Sequence, residues 1–296
     1  MPSGTPLAPI NLGAMKIHRV LEMQAPLFPA RTFFPTLTAE LLDEHRNWLS
    51  PTFLEPGTDK LILAIQSYVV ETTHHRILVD SCVGNHKPRP GRPFWDQMKA
   101  DTWERNLAAT GIGLTDIDFV MCTHLHVDHV GWNTRLENGR WVPTFPKARY
   151  LFSKTELDFW LSENDKAALP PIVDSVIPIV EAKACDLVTS DYALNDLVTL
   201  LPTPGHTIDH YAVQLGKGGR DAVITGDLIH TPLQALYPDL AMRVDYDGKQ
   251  SSATRRMFLE KYCDTNTQCC FAHFPSPSRG YVKRWGNGFK CEYITD

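Results

Sequence analysis

Short apolar runs alternate with helix-like segments along the whole chain, which is the pattern of a mixed α/β protein. The apolar runs predict strands at residues 15–21, 61–71, 76–80, 114–122, 149–152, 198–202, 211–215, 222–225 and 268–272. Segments with helical periodicity predict helices at residues 38–48, 94–109, 154–161 and 252–262.

Strands and helices alternate in both halves, which favours an α/β sandwich with two inner sheets. Residues 1–13 are rich in proline, glycine and small side chains, so we predict a flexible tail there and a single domain over residues 14–296. Residues 25–35 contain three prolines and three phenylalanines. The prolines predict irregular structure, and the phenylalanines predict a segment that packs over something.

Composition and charge exclude several classes of function. The 296 residues are 43% hydrophobic and 21% charged, and their apolar stretches are too short for a membrane span. The formal net charge of −5, with both signs mixed, provides no basic stripe for nucleic acid.

The seven cysteines follow no disulfide framework and include no Cys-x-x-Cys pair, which favours reduced thiols in a cytoplasmic protein and excludes a zinc ribbon. The first six residues lack the features of a signal peptide, although secretion or a periplasmic location stays open if one was removed.

The most informative motif follows the apolar run 117–122. There His124, His126, Asp128 and His129 form the pattern His-x-His-x-Asp-His. Such side chains cannot all share one face of a strand or helix, but on a loop they can diverge toward two neighbouring metal ions. The segment therefore predicts a metal-binding loop.

Four further polar residues directly follow apolar runs: Asp80, His206, Asp227 and His273. Strand ends are where α/β proteins usually build their sites. In this order the motifs resemble those of the metallo-β-lactamase superfamily. The resemblance implies a four-layer αββα sandwich, with a two-metal site assembled from residues far apart in the chain.

The resemblance also implies a role for each motif residue. His124, His126 and His206 would hold the first ion, Asp128, His129 and His273 would hold the second, Asp227 would bridge both, and Asp80 would orient a ligand or loop. Two divalent ions are expected; zinc is favoured, and cobalt, manganese and iron stay open. A metal-bridging hydroxide would be the nucleophile.

The substrate is constrained by departures from the better-known branches. Class B β-lactamases usually have cysteine or serine where this chain has Asp227, which disfavours antibiotic hydrolysis. The segment 226–230 looks like that of lactonases and methyl-parathion-hydrolase-like enzymes. Lactonases typically have tyrosine where His230 stands, and histidine resembles the organophosphate and aryl-ester branch more. His230 could donate to the developing oxyanion or assist the leaving group, or it could be a packing residue.

Residues 25–35 would then form a lid or pocket wall that favours a hydrophobic substrate. Candidates for the substrate pocket are Phe28, Phe34, Trp132 and His230, and Asn133 and His210 are candidate supporting residues.

The sequence therefore predicts a dinuclear metal hydrolase that cleaves a hydrophobic lactone or ester. A thioesterase similar to glyoxalase II and a phosphotriesterase are alternatives within the same chemistry. A non-catalytic metal- and ligand-binding protein is the alternative from another class. We expect a small-molecule substrate, and a homodimer stays open.

Overall fold

Two seven-stranded sheets and a two-stranded hairpin organise the computed structural model, which describes residues 8–294. The chain divides into two units by internal contacts. The first unit joins the residues up to Met23 with Ile65–Tyr192, and the second joins Gln24–Ala64 with Ala193 and the residues after it. This mixed α/β architecture with two large sheets confirms the predicted fold class. No helix in the described part of the chain is long and apolar enough to cross a membrane.

The first sheet has the order β1-β2-β3-β4-β5-β8-β9. Its strands are β1 Ile10–Leu12, β2 Met15–Pro29, β3 Lys60–Glu71, β4 Arg76–Val79, β5 Phe119–Met121, β8 Arg149–Ser153 and β9 Cys185–Val188. The hairpin, β6 Thr134–Glu137 and β7 Arg140–Pro143, lies between β5 and β8 in sequence.

The central strands of this sheet are parallel and bring distant polar residues to one edge. β4 pairs in parallel with β5, with Val79 opposite Met121, and β5 pairs in parallel with β8. Ile77, Leu78 and Val79 are fully buried, as expected for a parallel strand covered on both faces. Because parallel strands end at the same edge of a sheet, Asp80 and the predicted metal loop after β5 emerge side by side.

The second sheet has the order β10-β11-β12-β13-β14-β15-β16. Its strands are β10 Ala193–Asn195, β11 Val198–Pro202, β12 Tyr211–Leu215, β13 Ala222–Ile224, β14 Gln268–Cys270, β15 Arg279–Trp285 and β16 Gly288–Tyr293. Only β13 and β14 are a parallel pair among the described strands of this sheet, so the segments that carry Asp227 and His273 leave at the same edge.

Eight helices accompany the sheets in residues 8–294: α1 Ala30–Phe33, α2 Ala39–Leu49, α3 Thr102–Ala109, α4 Lys154–Lys166, α5 Pro170–Ser175, α6 Ile177–Glu181, α7 Pro232–Leu236 and α8 Gly248–Tyr262. Side-chain caps define several starts. Thr38 accepts the Leu41 N–H before α2, Ser153 accepts the Glu156 N–H before α4, and Asp247 caps α8. The helices predicted at 38–48, 154–161 and 252–262 are confirmed, although the last two are longer than expected.

The N-terminal prediction needs correction. Ile10–Leu12 is a strand that pairs with Met15–Ile17. Regular structure therefore begins before residue 13, where the predicted flexible tail was expected to end. The strand predicted at 15–21 continues to Pro29 and is followed by one helical turn, so residues 25–35 are more regular than predicted. Because β1 pairs only with the first three residues of β2, the later part of β2 lies at an edge, where proline is tolerated. Residues 1–7 lie outside the described residues.

Two further predictions were too long. The helix expected over 94–109 begins only at Thr102. Gln97 has a φ of 51° and donates its N–H to the Lys87 carbonyl, a conformation and a partner that a helix excludes. The strand expected over 114–122 is a single 3-10 turn, Leu114–Asp116, followed by the three residues of β5.

Candidate metal centre

The predicted metal loop of the first unit gathers three imidazoles. The ring centroids of His124 and His126 are 4.6 Å apart, and those of His124 and His129 are 4.1 Å apart. His124 and His129 are buried, whereas His126 and Asp128 are half-buried. The carboxylate of Asp128 lies 3.9 Å from Nε2 of His129. Nitrogen and oxygen donors are therefore concentrated within six residues, as the motif predicts.

Asp80 determines which nitrogen two of these histidines present. Its carboxylate accepts Nδ1–H of His129 at 2.9 Å and the Thr123 hydroxyl at 2.9 Å. Because that hydroxyl donates to Asp80, it accepts from Nδ1 of His124 at 3.1 Å. Both imidazoles therefore carry the proton on Nδ1 and leave the Nε2 lone pair for a cation. This is the contact that the orienting role expected for Asp80 requires.

The beginning of the loop is held by helix α4. Glu156, which is buried in the first turn of α4, accepts the Leu125 N–H at 3.3 Å and the Trp160 indole N–H at 2.7 Å. The Trp160 ring lies 5.4 Å from that of His126. Sequence reasoning did not single out Glu156 or Trp160, since both lie on an ordinary amphipathic helix.

The end of the loop is held by Glu22 and Trp132. The buried carboxylate of Glu22 accepts the N–H groups of Val83 at 2.9 Å and Gly84 at 3.0 Å, and the Trp132 indole N–H at 2.7 Å. Burial raises the pKa of Glu22 to about 7, although these three donors oppose the shift. The Trp132 ring stacks on Trp103 with centroids 4.8 Å apart. Within the first unit, Trp132 is thus a packed residue, and its contact with substrate stays a prediction.

Asn133, a candidate supporting residue, is also buried. Its side-chain oxygen accepts the Ser81 hydroxyl at 2.8 Å. This bond joins the residue after Asp80 to the end of the metal loop, so Asn133 supports the loop and not a ligand directly.

In the second unit the carboxylate of Asp227 lies among three histidines. Its Oδ1 is 2.8 Å from Nε2 of His273, and its Oδ2 is 3.2 Å from Nε2 of both His206 and His230. All four side chains are nearly fully buried. Ligand atoms from Asp227, His230 and His273 lie within 4.8 Å of one another, as a set that could hold a metal ion.

The donor set fits a cation. Nδ1 of His273 lies 2.8 Å from the Ala64 carbonyl oxygen, which can only accept, so Nδ1 carries the proton. The lone pair of Nε2 in a neutral His273 then faces a carboxylate oxygen. Two acceptors at this distance repel each other unless a proton or a metal ion lies between them. A divalent ion is the partner that both atoms would share.

His206 is in a similar position. Its Nδ1 lies 2.7 Å from Asp245 and its Nε2 faces Asp227. Burial lowers the pKa of His206, but the two carboxylates outweigh it and raise the pKa to about 9. The carboxylates thus favour positive charge at this imidazole, which is the charge that a bound metal ion would supply.

Two buried residues hold the backbone around these ligands. Nε2 of His210 accepts the Asp227 N–H at 2.9 Å, while its Nδ1 lies 2.8 Å from the Thr203 hydroxyl. The guanidinium of Arg255 donates to the carbonyls of Leu228, Pro238 and Leu240. His210 was expected as a supporting residue, whereas Arg255 and Asp245 were missed because no motif marks them.

The His230 ring contacts a candidate metal ligand, His273, and an aromatic side chain, Phe33. Its ring stacks on His273 at 5.3 Å with an interplanar angle of 6°, and the Phe33 ring lies 5.3 Å away in an edge contact. Burial lowers the pKa of His230, which favours a neutral imidazole. Among the described residues Nδ1 has no hydrogen-bond partner, so Nε2 carries the proton and donates to Asp227.

The phenylalanine candidates Phe28 and Phe34 both lie next to Phe33, and their contact with substrate stays a prediction. Phe34 is fully buried, and its ring packs edge-on against Phe33 at 4.9 Å. Phe33, which was not among the candidates, is the residue that contacts His230. The ring centroids of Phe28 and Phe33 are 5.6 Å apart. The helical turn α1 directs Phe33 toward His230, and a segment predicted to be irregular carried no signal for that turn.

Histidine nitrogens and carboxylates that meet at strand ends, as they do within each unit, are typical of a metal-dependent hydrolase. The sequence model of the metallo-beta-lactamase superfamily matches residues 62–273, more than half of the chain, so the chain belongs to this superfamily. Membership implies a divalent metal ion and supports the predicted metal-dependent hydrolase. No curated protein matches the chain in sequence.

Several solved structures are similar in fold. AidC, a dizinc quorum-quenching lactonase in complex with the product N-hexanoyl-L-homoserine, is 21% identical with a TM-score of 0.81, over 98% of each chain. AbOPH, a hydrolase in the beta lactamase superfamily, is 20% identical with a TM-score of 0.82, over 100% of this chain and 99% of that one. A variant of AiiA from B. thuringiensis with N-decanoyl-L-homoserine bound at its active site is 19% identical with a TM-score of 0.59, over 87% of this chain and 92% of that one. At these identities the likeness shows the fold alone.

Proposed function

We propose that the chain is a dinuclear metal-dependent hydrolase that cleaves a hydrophobic lactone or ester. Residues 14–296 would act as a single domain. His124, His126 and His206 would hold one ion, Asp128, His129 and His273 would hold the other, and Asp227 would contact both. Zinc suits these nitrogen and carboxylate donors, and the dizinc centre of AidC supports the same choice.

The observation that carries the proposal is the carboxylate of Asp227. Its two oxygens face different histidines, His273 on one side and His206 and His230 on the other. A carboxylate that presents each oxygen to a different histidine would suit a place between two cations. When bound, two such ions would supply a water with a pKa of about 7 and polarise a carbonyl or phosphoryl oxygen.

The remaining work falls to the side chains of the chain itself. Asp80, Asp245 and the Ala64 carbonyl keep the proton on Nδ1 of their histidines, so each Nε2 is available. The neutral imidazole of His230 donates its one N–H, on Nε2, to Asp227, and the same N–H would turn to the leaving group or the developing oxyanion during the reaction. Phe33 would exclude water beside His230 and favour an apolar acyl or aryl group.

Metal content and turnover test the proposal together. The purified protein should contain two divalent ions per chain by elemental analysis, and it should hydrolyse a long-chain N-acyl homoserine lactone or an aryl ester. A chelator should abolish turnover, and added zinc should restore it. Asp227→Ala should lose both metal ions and activity. Two bound metals without turnover of a lactone, an aryl ester, a thioester or a phosphotriester would favour a non-catalytic metal-binding protein.

A phosphotriesterase is the second candidate, and His230 favours it. Where lactonases of this type have tyrosine, this chain places a neutral imidazole 3.2 Å from the carboxylate of Asp227. His230→Tyr should therefore change the ratio of phosphotriester to lactone turnover. An unchanged ratio would remove His230 as the residue that selects the substrate.

A further inference from the structure

Glu22 is a buried carboxylate that the proposed function does not use. It lies on β2 in the first unit with 5% of its surface exposed. It has three hydrogen-bond donors, from Val83, Gly84 and Trp132, at 2.7 to 3.0 Å. Burying a carboxylate is costly unless it is fully hydrogen-bonded. This one is satisfied by groups from two other segments, so it joins them.

The two segments are residues 81–84, which follow Asp80, and residues 129–132, which end the metal loop. Their backbones bond directly: the Ser81 N–H donates to the His129 carbonyl at 2.8 Å, and the Trp132 N–H donates to the Ser81 carbonyl at 2.6 Å. The Gly131 N–H donates to the Cys82 carbonyl at 2.7 Å.

Contact between the segments is too close for any side chain at Gly131. A Cβ there would lie 1.9 Å from the Val83 carbonyl oxygen. Asp80 and Cys82 also have φ values of 58° and 52°, a backbone conformation that residues other than glycine rarely adopt and that the surrounding contacts must maintain. Glu22 provides that hold from the side of β2, since it binds Val83 and Gly84 in one segment and Trp132 in the other.

The candidate metal ligand His129 depends on this arrangement. The carbonyl of His129 is bound by Ser81, and its ring is bound by Asp80, which directly precedes Ser81. A shift of residues 81–84 would therefore move both the backbone and the ring partner of His129.

We propose that Glu22 is a positioning residue that holds His129 in place for its metal ion by binding Val83, Gly84 and Trp132 together. The inference rests on the proposed function, because it assigns His129 to a metal. It adds that the strength of metal binding depends on a side chain more than one hundred positions away in sequence, on a different strand.

The test compares Glu22→Gln with a matched control. Glutamine keeps the shape of the side chain, but its NH₂ group would face an N–H donor and lose at least one of the three bonds. Asn106→Ala is the control, because Asn106 donates to the Leu21 carbonyl at 2.8 Å, beside Glu22 on β2. It perturbs the same strand and has no described bond to residues 81–84 or 129–132.

Zinc affinity is measured by competition with a chromophoric chelator, at a temperature well below the melting temperature of every variant. We expect Glu22→Gln to weaken one of the two zinc sites about tenfold, the low end of the range for residues that orient ligands. Asn106→Ala should leave both zinc affinities within about twofold of the wild-type values. This should hold even if its melting temperature falls as far as that of Glu22→Gln. Equal zinc affinities in Glu22→Gln and the wild type would overturn the inference.

Trp132→Phe provides a second variant in case Glu22→Gln does not fold. Phenylalanine keeps the stack on Trp103 but removes the indole N–H, so it should weaken the same zinc site in the same direction. An unchanged affinity in this variant would also count against the inference. A wild-type protein that binds no zinc would overturn the proposed function and this inference together. A wild type with two zinc sites and unaffected variants would overturn this inference alone.

Discussion

A buried lysine of the first unit makes the stability of that unit depend on pH. Lys87 is 0% exposed, and its ammonium lies 2.8 Å from the Thr134 hydroxyl and 3.4 Å from the carboxylate of Asp174. Arg89 shares that carboxylate at 2.7 Å, so two cations face one anion. Burial is the main cause that lowers the pKa of Lys87 to about 7; Asp174 opposes this shift, and Arg89 adds to it.

The direction of the effect follows from the two states. In the unfolded chain Lys87 has a pKa of about 10.4. Between that value and the folded pKa, the unfolded chain holds a proton that the folded chain lacks, so raising the pH stabilises the fold and lowering it destabilises the fold. Each pH unit in this window is worth about 1.4 kcal/mol, or about 2.7 kcal/mol between pH 7.5 and 9.5 as an upper value.

Lys87→Met removes the titrating group and fills nearly the same space. We measure the free energy of unfolding by urea titration. As the pH rises from 7.5 to 9.5, we expect this free energy to increase in the wild type relative to Lys87→Met. Lys154→Met is the control, since Lys154 is exposed in an ion pair with Asp158, and it should give a constant difference from the wild type. Parallel curves for the wild type and Lys87→Met would refute the reasoning.

Three further substitutions test the site. Asp80→Asn places an amide NH₂ group toward Nδ1–H of His129, so zinc affinity should fall about 10- to 100-fold in a chelator competition; an unchanged affinity would contradict the orienting role. Gly131→Ala would place Cβ 1.9 Å from the Val83 carbonyl oxygen, so the protein should lose about 3 kcal/mol or more of stability and its melting temperature should fall. An unshifted melting curve would rule out the close approach. Phe33→Ala removes the edge contact with His230, so KM should rise for long-chain esters and not for acetyl esters, and an equal rise for both would show that Phe33 does not face the acyl group.

The parts of the fold that the sequence predicts well depend on local patterns. The apolar run before Asp80 and the run before the metal loop are short and continuous, and the structure shows both as buried parallel strands. Parallel pairing then accounts for the meeting of Asp80 with residues 123–131. The run 15–21 was also recognised, but its continuation through Pro26 to Pro29 was not, because edge position is a property of the sheet and not of the sequence.

The residues that orient the ligands could not be predicted for a related reason. Asp245 reaches His206 from 39 positions away, and Ala64 reaches His273 from 209 positions away. Glu22 is one acidic residue in a strand with otherwise ordinary alternation, and only the fold shows that it is buried. Local motifs therefore identify which residues could hold the metal, whereas their supporting contacts depend on chain segments that meet only after folding.

In both units the supporting contacts place an oxygen atom beside Nδ1 of a histidine. His124, His129, His206 and His273 each have an oxygen acceptor at Nδ1: the hydroxyl of Thr123, the carboxylates of Asp80 and Asp245, and a main-chain carbonyl. An oxygen at Nδ1 fixes the tautomer and leaves the Nε2 lone pair to the cation. His210 shares this orientation, but its Nε2 lone pair accepts the Asp227 N–H. The acceptors are of three different kinds and come from unrelated segments, so the common Nε2 presentation supports the proposed role of these four histidines as metal ligands. His230, whose Nε2–H donates to Asp227, differs from these four, and that difference supports the separate role proposed for it.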